Sequence, residues 1–174
     1  MKKVAVLVGS LRAQSSNKLL AENIEALSEG RLQFTHVDLN LPLFNQDLEA
    51  DVPAAVTAAR DIVREADVVL IVTPEYNRAP SGVLKNAIDW LSRPYGAGVL
   101  QGRKVAIAGA GGALGTGPAQ AQLRSIVGYL NMPLMGQPEY YLSLSHDTFD
   151  EAGKLTDDSH AKAYAEALVA FAEK

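Results

Sequence analysis

Short apolar runs alternate with amphipathic stretches along the whole chain. Val4–Val8, Leu32–Asp38, Val68–Thr73 and Lys104–Ala108 carry the strand pattern, with a fifth run over Glu139–Leu144. Apolar residues recur at helical spacing over residues 17–29, 53–65, 82–92, 118–130 and 158–173. The first, third and fourth runs are almost wholly Val, Ile, Leu and Ala, the composition of strands buried on both faces. Five strand–helix units predict an α/β fold: a doubly wound, five-stranded parallel sheet of order 2-1-3-4-5 with helices on both faces. No repeat or linker interrupts the pattern, so one domain over residues 1–174 is expected. Ligands of such sheets bind beyond the carboxyl ends of the strands, where the strand order reverses. That rule singles out the loops after strands 1, 3 and 4.

The first loop reads Gly9-Ser10-Leu11-Arg12-Ala13-Gln14-Ser15-Ser16-Asn17 and opens directly into a helical pattern. A helix N-terminus offers unpaired N–H groups and the positive end of the helix dipole to an anion. Arg12 can fork onto a phosphate, Ser10 and Ser15 can donate hydroxyl bonds, and Asn17 sits at the helix start. Any one of Ser15, Ser16 or Asn17 would suffice as a helix cap. A glycine, several hydroxyls, an amide and an arginine within nine residues exceed that need. A Walker sequence is missing, which argues against nucleotide hydrolysis.

The second loop, Thr73–Gly82, is stiffened by Pro74, Pro80 and Gly82, and its backbone amides suit a flat heterocycle. Tyr76 offers an aromatic face and Arg78 a cation at the cleft mouth. The third loop, Gly109–Pro118, contains Gly111-x3-Gly115-x-Gly117, a spacing that imitates a dinucleotide fingerprint. Such a fingerprint belongs after the first strand, and no Tyr-x3-Lys pair follows here. The glycines are read instead as allowing the backbone to approach a ring closely.

Two segments leave alternatives open. Asn40–Asp47 is apolar for a surface loop; it either packs under the second helix or walls a ligand cleft or subunit contact. Val83, Leu84, Ala87, Ile88 and Leu91 form the core face of the third helix, whereas Trp90, Lys85 and Asp89 suit either a subunit interface or ordinary packing and surface.

Composition narrows the chemistry. The chain has no cysteine, which removes disulfides, thiolate metal sites and thiol catalysis. Sixteen basic residues against twenty acidic ones, with no basic run, argue against nucleic-acid binding. No apolar run is long enough to span a membrane, and Val4–Val8 reads as a core strand rather than a secretory signal. A cytoplasmic protein with a small-molecule partner is expected. His36, His146 and His160 form no evident constellation with carboxylates, and no metal site is expected.

Gly9-Ser10-Leu11-Arg12-x2-Ser15-x-Asn17-x2-Leu20-Ala21, with Pro74-Glu75-Tyr76-Asn77 and Leu84-Lys85-Asn86-Ala87-Ile88-Asp89-Trp90, closely resembles the NAD(P)H-dependent FMN reductases. Within them the chain is most similar to the bacterial quinone and chromate reductase branch. The resemblance implies a flavodoxin-like fold, bound FMN, and a homodimer or homotetramer. It places Ser10, Arg12, Ser15, Ser16 and Asn17 on the FMN phosphate, and Pro74, Glu75, Tyr76, Asn77 and Arg78 along the isoalloxazine. Gly111 and Gly112 would approach the pyrimidine edge. It also implies ping-pong hydride transfer from NADPH or NADH, through flavin N5, to a quinone or another acceptor such as chromate, an azo compound or free flavin. No side chain then acts as nucleophile or metal ligand, and Tyr76 and Arg78 become the substrate-site candidates. A flavodoxin-type electron carrier and a flavin-dependent sensor without nicotinamide turnover are the alternatives. Two departures stand out: Ala79-Pro80-Ser81-Gly82 replaces the family's frequent Ser-Val-Pro-Gly, and the third loop lacks the family's common serine.

Overall fold

Five parallel strands form the sheet of the computed structural model, which describes residues 1–174. They are β1 (Lys2–Val8), β2 (Leu32–His36), β3 (Val68–Val72), β4 (Lys104–Gly111) and β5 (Tyr140–Ser143). Their order is 2-1-3-4-5, as the hydrophobic pattern predicts. Side chains of a strand alternate between faces, so each buried strand feeds two cores. Val4 and Val6 of β1 join one cluster with Leu20 and Ile24 of α1 (Ser16–Leu27) and Tyr164 and Leu168 of α5 (Ser159–Glu173). Ala5 and Leu7 face the other cluster, built with α2 (Ala54–Glu65), α3 (Gly82–Leu91) and α4 (Gly117–Tyr129). Each fully buried Leu or Ile contributes about 1.5–3 kcal/mol, which fixes the register of the alternation.

Strand ends differ from the sequence reading by a few residues, and one difference matters. β4 continues past Ala108 to Gly111 because Ala108–Gly111 pair with Tyr140–Ser143 of β5. The candidate third loop therefore begins inside a strand. β2 stops at His36, although the Val37 N–H still bonds to the Val6 carbonyl at 2.9 Å.

The segment Asn40–Asp47 is docked on α3, and its Leu41 packs on the cluster shared with α2. Asn86 accepts from the Phe44 N–H at 2.8 Å and donates to the Pro42 carbonyl at 3.0 Å. Trp90 donates its indole N–H to the same carbonyl at 2.8 Å, and Phe44 meets the indole edge-on. A hydrophobic pattern cannot foresee this, because polar groups of α3 determine where the loop docks. Trp90 is thus a buried packing residue, while Lys85 and Asp89 form an exposed ion pair at 2.7 Å. The tip of this tethered loop, Leu43, is 82% exposed. No helix is long and apolar enough to cross a membrane.

Candidate functional site

The turn out of β1 is tightly packed. The Gly9 N–H bonds to the Val72 carbonyl, and a Cβ at Gly9 would lie within 3.0–3.1 Å of Pro74, Ser81 and Leu84. Ser81, at one of the departures noted above, caps α3: its hydroxyl accepts from the Leu84 N–H and donates to the Gly9 carbonyl at 2.6 Å. The first and second loops are thereby joined at their roots.

Beyond Gly9 the chain curls into a cradle. The Ser10 hydroxyl accepts from the Arg12 N–H, and the exposed Arg12 guanidinium donates to the Gln14 carbonyl. Ser15 is the N-cap of α1, accepting from the Lys18 N–H at 3.3 Å. The backbone N–H groups of Ser16 and Asn17 have no partner in the chain. Two free donors at a helix N-terminus beside an arginine and three serine hydroxyls form an anion site. The Asn17 carboxamide is not part of it. That side chain is 4% exposed and is engaged by both backbone groups of Ala110, so only the Asn17 N–H faces the cradle.

The second loop forms a small antiparallel ribbon, Glu75–Tyr76 against Ala79–Pro80. Its turn residues Asn77 and Arg78 have φ of 53° and 66°. Positive φ at both central positions is the geometry of a type I′ turn, which suits Asn but is unusual for Arg. Gln122 of α4 holds the turn by donating to the Arg78 carbonyl at 2.8 Å. Tyr76 stands half-exposed at the cleft rim.

In the third loop the glycines serve different ends. A Cβ at Gly109 would sit 2.1 Å from the Thr116 hydroxyl, and one at Gly111 would sit 2.2 Å from the Gly115 carbonyl. These two are small because the protein packs on itself there. Gly112 alone of the Gly111–Gly112 pair faces open space, with nothing within 4 Å of its missing Cβ. The lack of a side chain at Gly111 is thus accounted for by the chain's own packing, whereas at Gly112 it is not.

One cleft brings the loops together. Ser10, Arg12, Ser15, Ser16 and Asn17 line one side, Pro74, Glu75 and Tyr76 another, and Ala110, Gly111 and Leu144 complete it, around about 500 Å³ of open space. Asn77, Arg78 and Gly112 do not line it; they sit on the adjoining turns. Sequence reasoning missed Ala110 and Leu144. The rule that ligands gather beyond strand ends covered β5 as well, and Leu144 follows that strand. His36 meets Glu25 at 3.2 Å and His146 meets its sequence neighbour Asp147 at 3.1 Å, both at the surface.

Residues 2–147 match the family described as NADPH-dependent FMN reductase. A 2-hydroxy-1,4-benzoquinone reductase of a Burkholderia species is 44% identical over 162 residues, covering 92% of this chain and 88% of that protein. A quinone reductase of Pseudomonas putida is 43% identical over 157 residues, covering 88% and 84%. Among solved structures, the flavoenzyme NAD(P)H:(acceptor) oxidoreductase FerB from Paracoccus denitrificans superposes with a TM-score of 0.93 at 38% identity, over 99% of this chain and 98% of its own. A flavodoxin from Pseudomonas aeruginosa, 19% identical with a TM-score of 0.61 over 99% of this chain and all of its own, speaks for the fold alone. The chain belongs to the NADPH-dependent FMN reductase family, and it is a flavodoxin-like, FMN-dependent NAD(P)H oxidoreductase.

Proposed function

We propose that the cleft between the three loops holds FMN and that the enzyme delivers reducing equivalents from NAD(P)H to a quinone. The observation that carries this reading is the pair of free N–H groups at Ser16 and Asn17, set beside Arg12 and the hydroxyls of Ser10, Ser15 and Ser16. A phosphate monoester fits that donor set, which offers hydrogen-bond donors and a cation, while the one carboxylate lining the cleft, Glu75, is taken up by the Ala119 N–H and the Arg78 guanidinium. Pro74, Glu75 and Tyr76 form the wall for the isoalloxazine, with Asn77 and Arg78 on the turn beyond it, and the open space at Gly112 on the adjoining turn leaves room for the ring edge.

When bound, FMN supplies the hydride-accepting and hydride-returning chemistry. The chain's own contribution is position. Arg12 and the α1 N-terminus hold the phosphate, the proline-stiffened second loop orients the ring, and Tyr76 and Arg78 border the space where nicotinamide and acceptor would take turns. The quinone assignment draws on the relatives named quinone reductase. A homodimer or homotetramer belongs to the same reading, supported by the exposed apolar side chains Leu11, Tyr76, Leu114 and Leu144 on the loops around the cleft.

Titration of the purified apoprotein with FMN, followed by flavin fluorescence, tests the proposal. Saturable binding of one FMN per chain is expected. A protein that ignores FMN overturns it.

A further inference from the structure

The N-termini of α1 and α4 use one device in two ways. At α1 the N–H groups of Ser16 and Asn17 are left free. At α4 every early donor is accounted for within the chain. The Gly117 N–H bonds to the Leu114 carbonyl, Pro118 has no N–H, and the Gln120 N–H bonds to the Thr116 carbonyl. The remaining one, at Ala119, is taken by the Glu75 carboxylate at 3.0 Å, across 44 residues of chain. Thr116, the residue at the N-cap position, makes no side-chain cap bond, because its hydroxyl accepts from Gln120 at 2.9 Å. The other Glu75 oxygen accepts from the Arg78 guanidinium at 3.2 Å, and the Glu75 side chain is only 10% exposed.

We propose that Glu75 is a positioning residue rather than a flavin ligand: its carboxylate is the built-in anion of the α4 N-terminus and holds the ribbon that walls the ring against α4. A carboxylate at a helix N-terminus is stabilised by the free N–H groups and the dipole together. The bond to Arg78 spans the strained turn between its side chains, while Gln122 fastens the Arg78 carbonyl to α4. The second loop and α4 thus behave as one piece, and the ring-facing backbone of Pro74–Tyr76 is set before any ligand arrives. Such preorganisation reduces the ordering cost of binding. The inference rests on the FMN reading of the cleft for its consequence, but not for the joint itself.

Three variants test it: Glu75→Gln keeps an oxygen for the Ala119 N–H, Glu75→Ala removes both bonds, and Gln122→Ala loosens the joint from the exposed side. The first readout is amide hydrogen exchange of the ligand-free protein. Exchange at Tyr76–Arg78 and Ala119 should accelerate about tenfold in Glu75→Ala, with β3 unchanged, and stay near wild type in Glu75→Gln. The second readout is FMN affinity, expected to fall about tenfold in Glu75→Ala and to be largely restored in Glu75→Gln. Should Glu75→Ala fail to fold, Gln122→Ala carries the same expectation for exchange at the turn. Wild-type exchange in Glu75→Ala overturns the joint. Equal loss of FMN affinity in the Gln and Ala variants, with exchange near wild type in Glu75→Gln, overturns the positioning role, since the charge would then act on the ligand directly rather than through the joint. Failure of the wild-type protein to bind FMN would instead sink the functional reading, and the exchange experiment would still decide the joint.

Discussion

The Asn17 carboxamide takes the place of a missing strand beside Ala110, donating to its carbonyl at 2.9 Å and accepting from its N–H at 2.8 Å. β3 pairs with β4 only as far as Val72 opposite Ala108, with one further bond from the Thr73 N–H, and then turns away at Pro74. In a parallel pair, alternate residues present their backbone groups to the same neighbour. The groups of Ala110 on the β3 side would therefore be orphaned, and Asn17 satisfies both. The same side chain locks the start of the anion-binding helix to the end of β4.

Asn17→Ala should cost about 1–3 kcal/mol for each backbone group left buried and unpaired. Asn17→Asp should be comparably damaging, because a carboxylate oxygen would face the Ala110 carbonyl. Urea denaturation of the FMN-free protein measures this directly. A loss well below about 1 kcal/mol in both variants would show that the pairing is replaceable.

Arg12→Ala should act on ligand and not on fold. The side chain is exposed and its only bond within the chain is to the Gln14 carbonyl. Loss of a charge-assisted contact to phosphate predicts FMN binding weaker by about 1.5–3 kcal/mol, with an unchanged melting temperature. Unaltered FMN affinity would remove Arg12 from the cradle.

The two neighbouring glycines should separate cleanly. Alanine at Gly111 brings a methyl to 2.2 Å from the Gly115 carbonyl, so it destabilises the free protein through backbone displacement. Alanine at Gly112 meets nothing within 4 Å, so the free protein keeps its stability. Its effect should be confined to FMN affinity, through the ring edge proposed to lie there. Thermal melts with and without FMN distinguish the pair, and a stable Gly111→Ala variant would contradict the packing argument.

Alkaline pH should unfold the protein through two tyrosines. Burial pushes the Tyr140 phenol up to about 12, helped by Asp157 and Asp158, and burial raises Tyr164 as well. In the unfolded chain both ionise near pH 10. The folded state then binds more protons than the unfolded one, so stability is level below about pH 10 and falls as pH rises toward 12. Phenolate absorbance should show these two groups titrating only with unfolding. Smooth titration of all six tyrosines in the folded protein would contradict their burial.

Much of the fold was legible because its signals are local. Continuous Val, Ile and Leu runs mark strands covered on both faces, and the polar break after Val8 marks the anion loop. What escaped depends on partners far along the chain. Nothing near Asn17 announces Ala110, ninety-three positions away, so a buried amide read as a phosphate ligand. The bond of Glu75 to α4 escaped for the same reason: the N–H it accepts from, that of Ala119, lies 44 positions further along the chain. Gly111 resembles Gly112 in sequence, and only the Gly115 carbonyl above it separates their roles. The docking of Asn40–Asp47 was missed because a hydrophobic pattern does not record the amide of Asn86 or the indole N–H of Trp90.

The most direct test of the whole account is an anaerobic stopped-flow experiment on the FMN-loaded protein. NADPH or NADH should bleach the visible flavin absorbance without any chemical reductant, and a benzoquinone added afterwards should restore it within turnover time. Flavin absorbance that persists in the presence of both nicotinamides, or that stays bleached when quinone is added, would contradict the account.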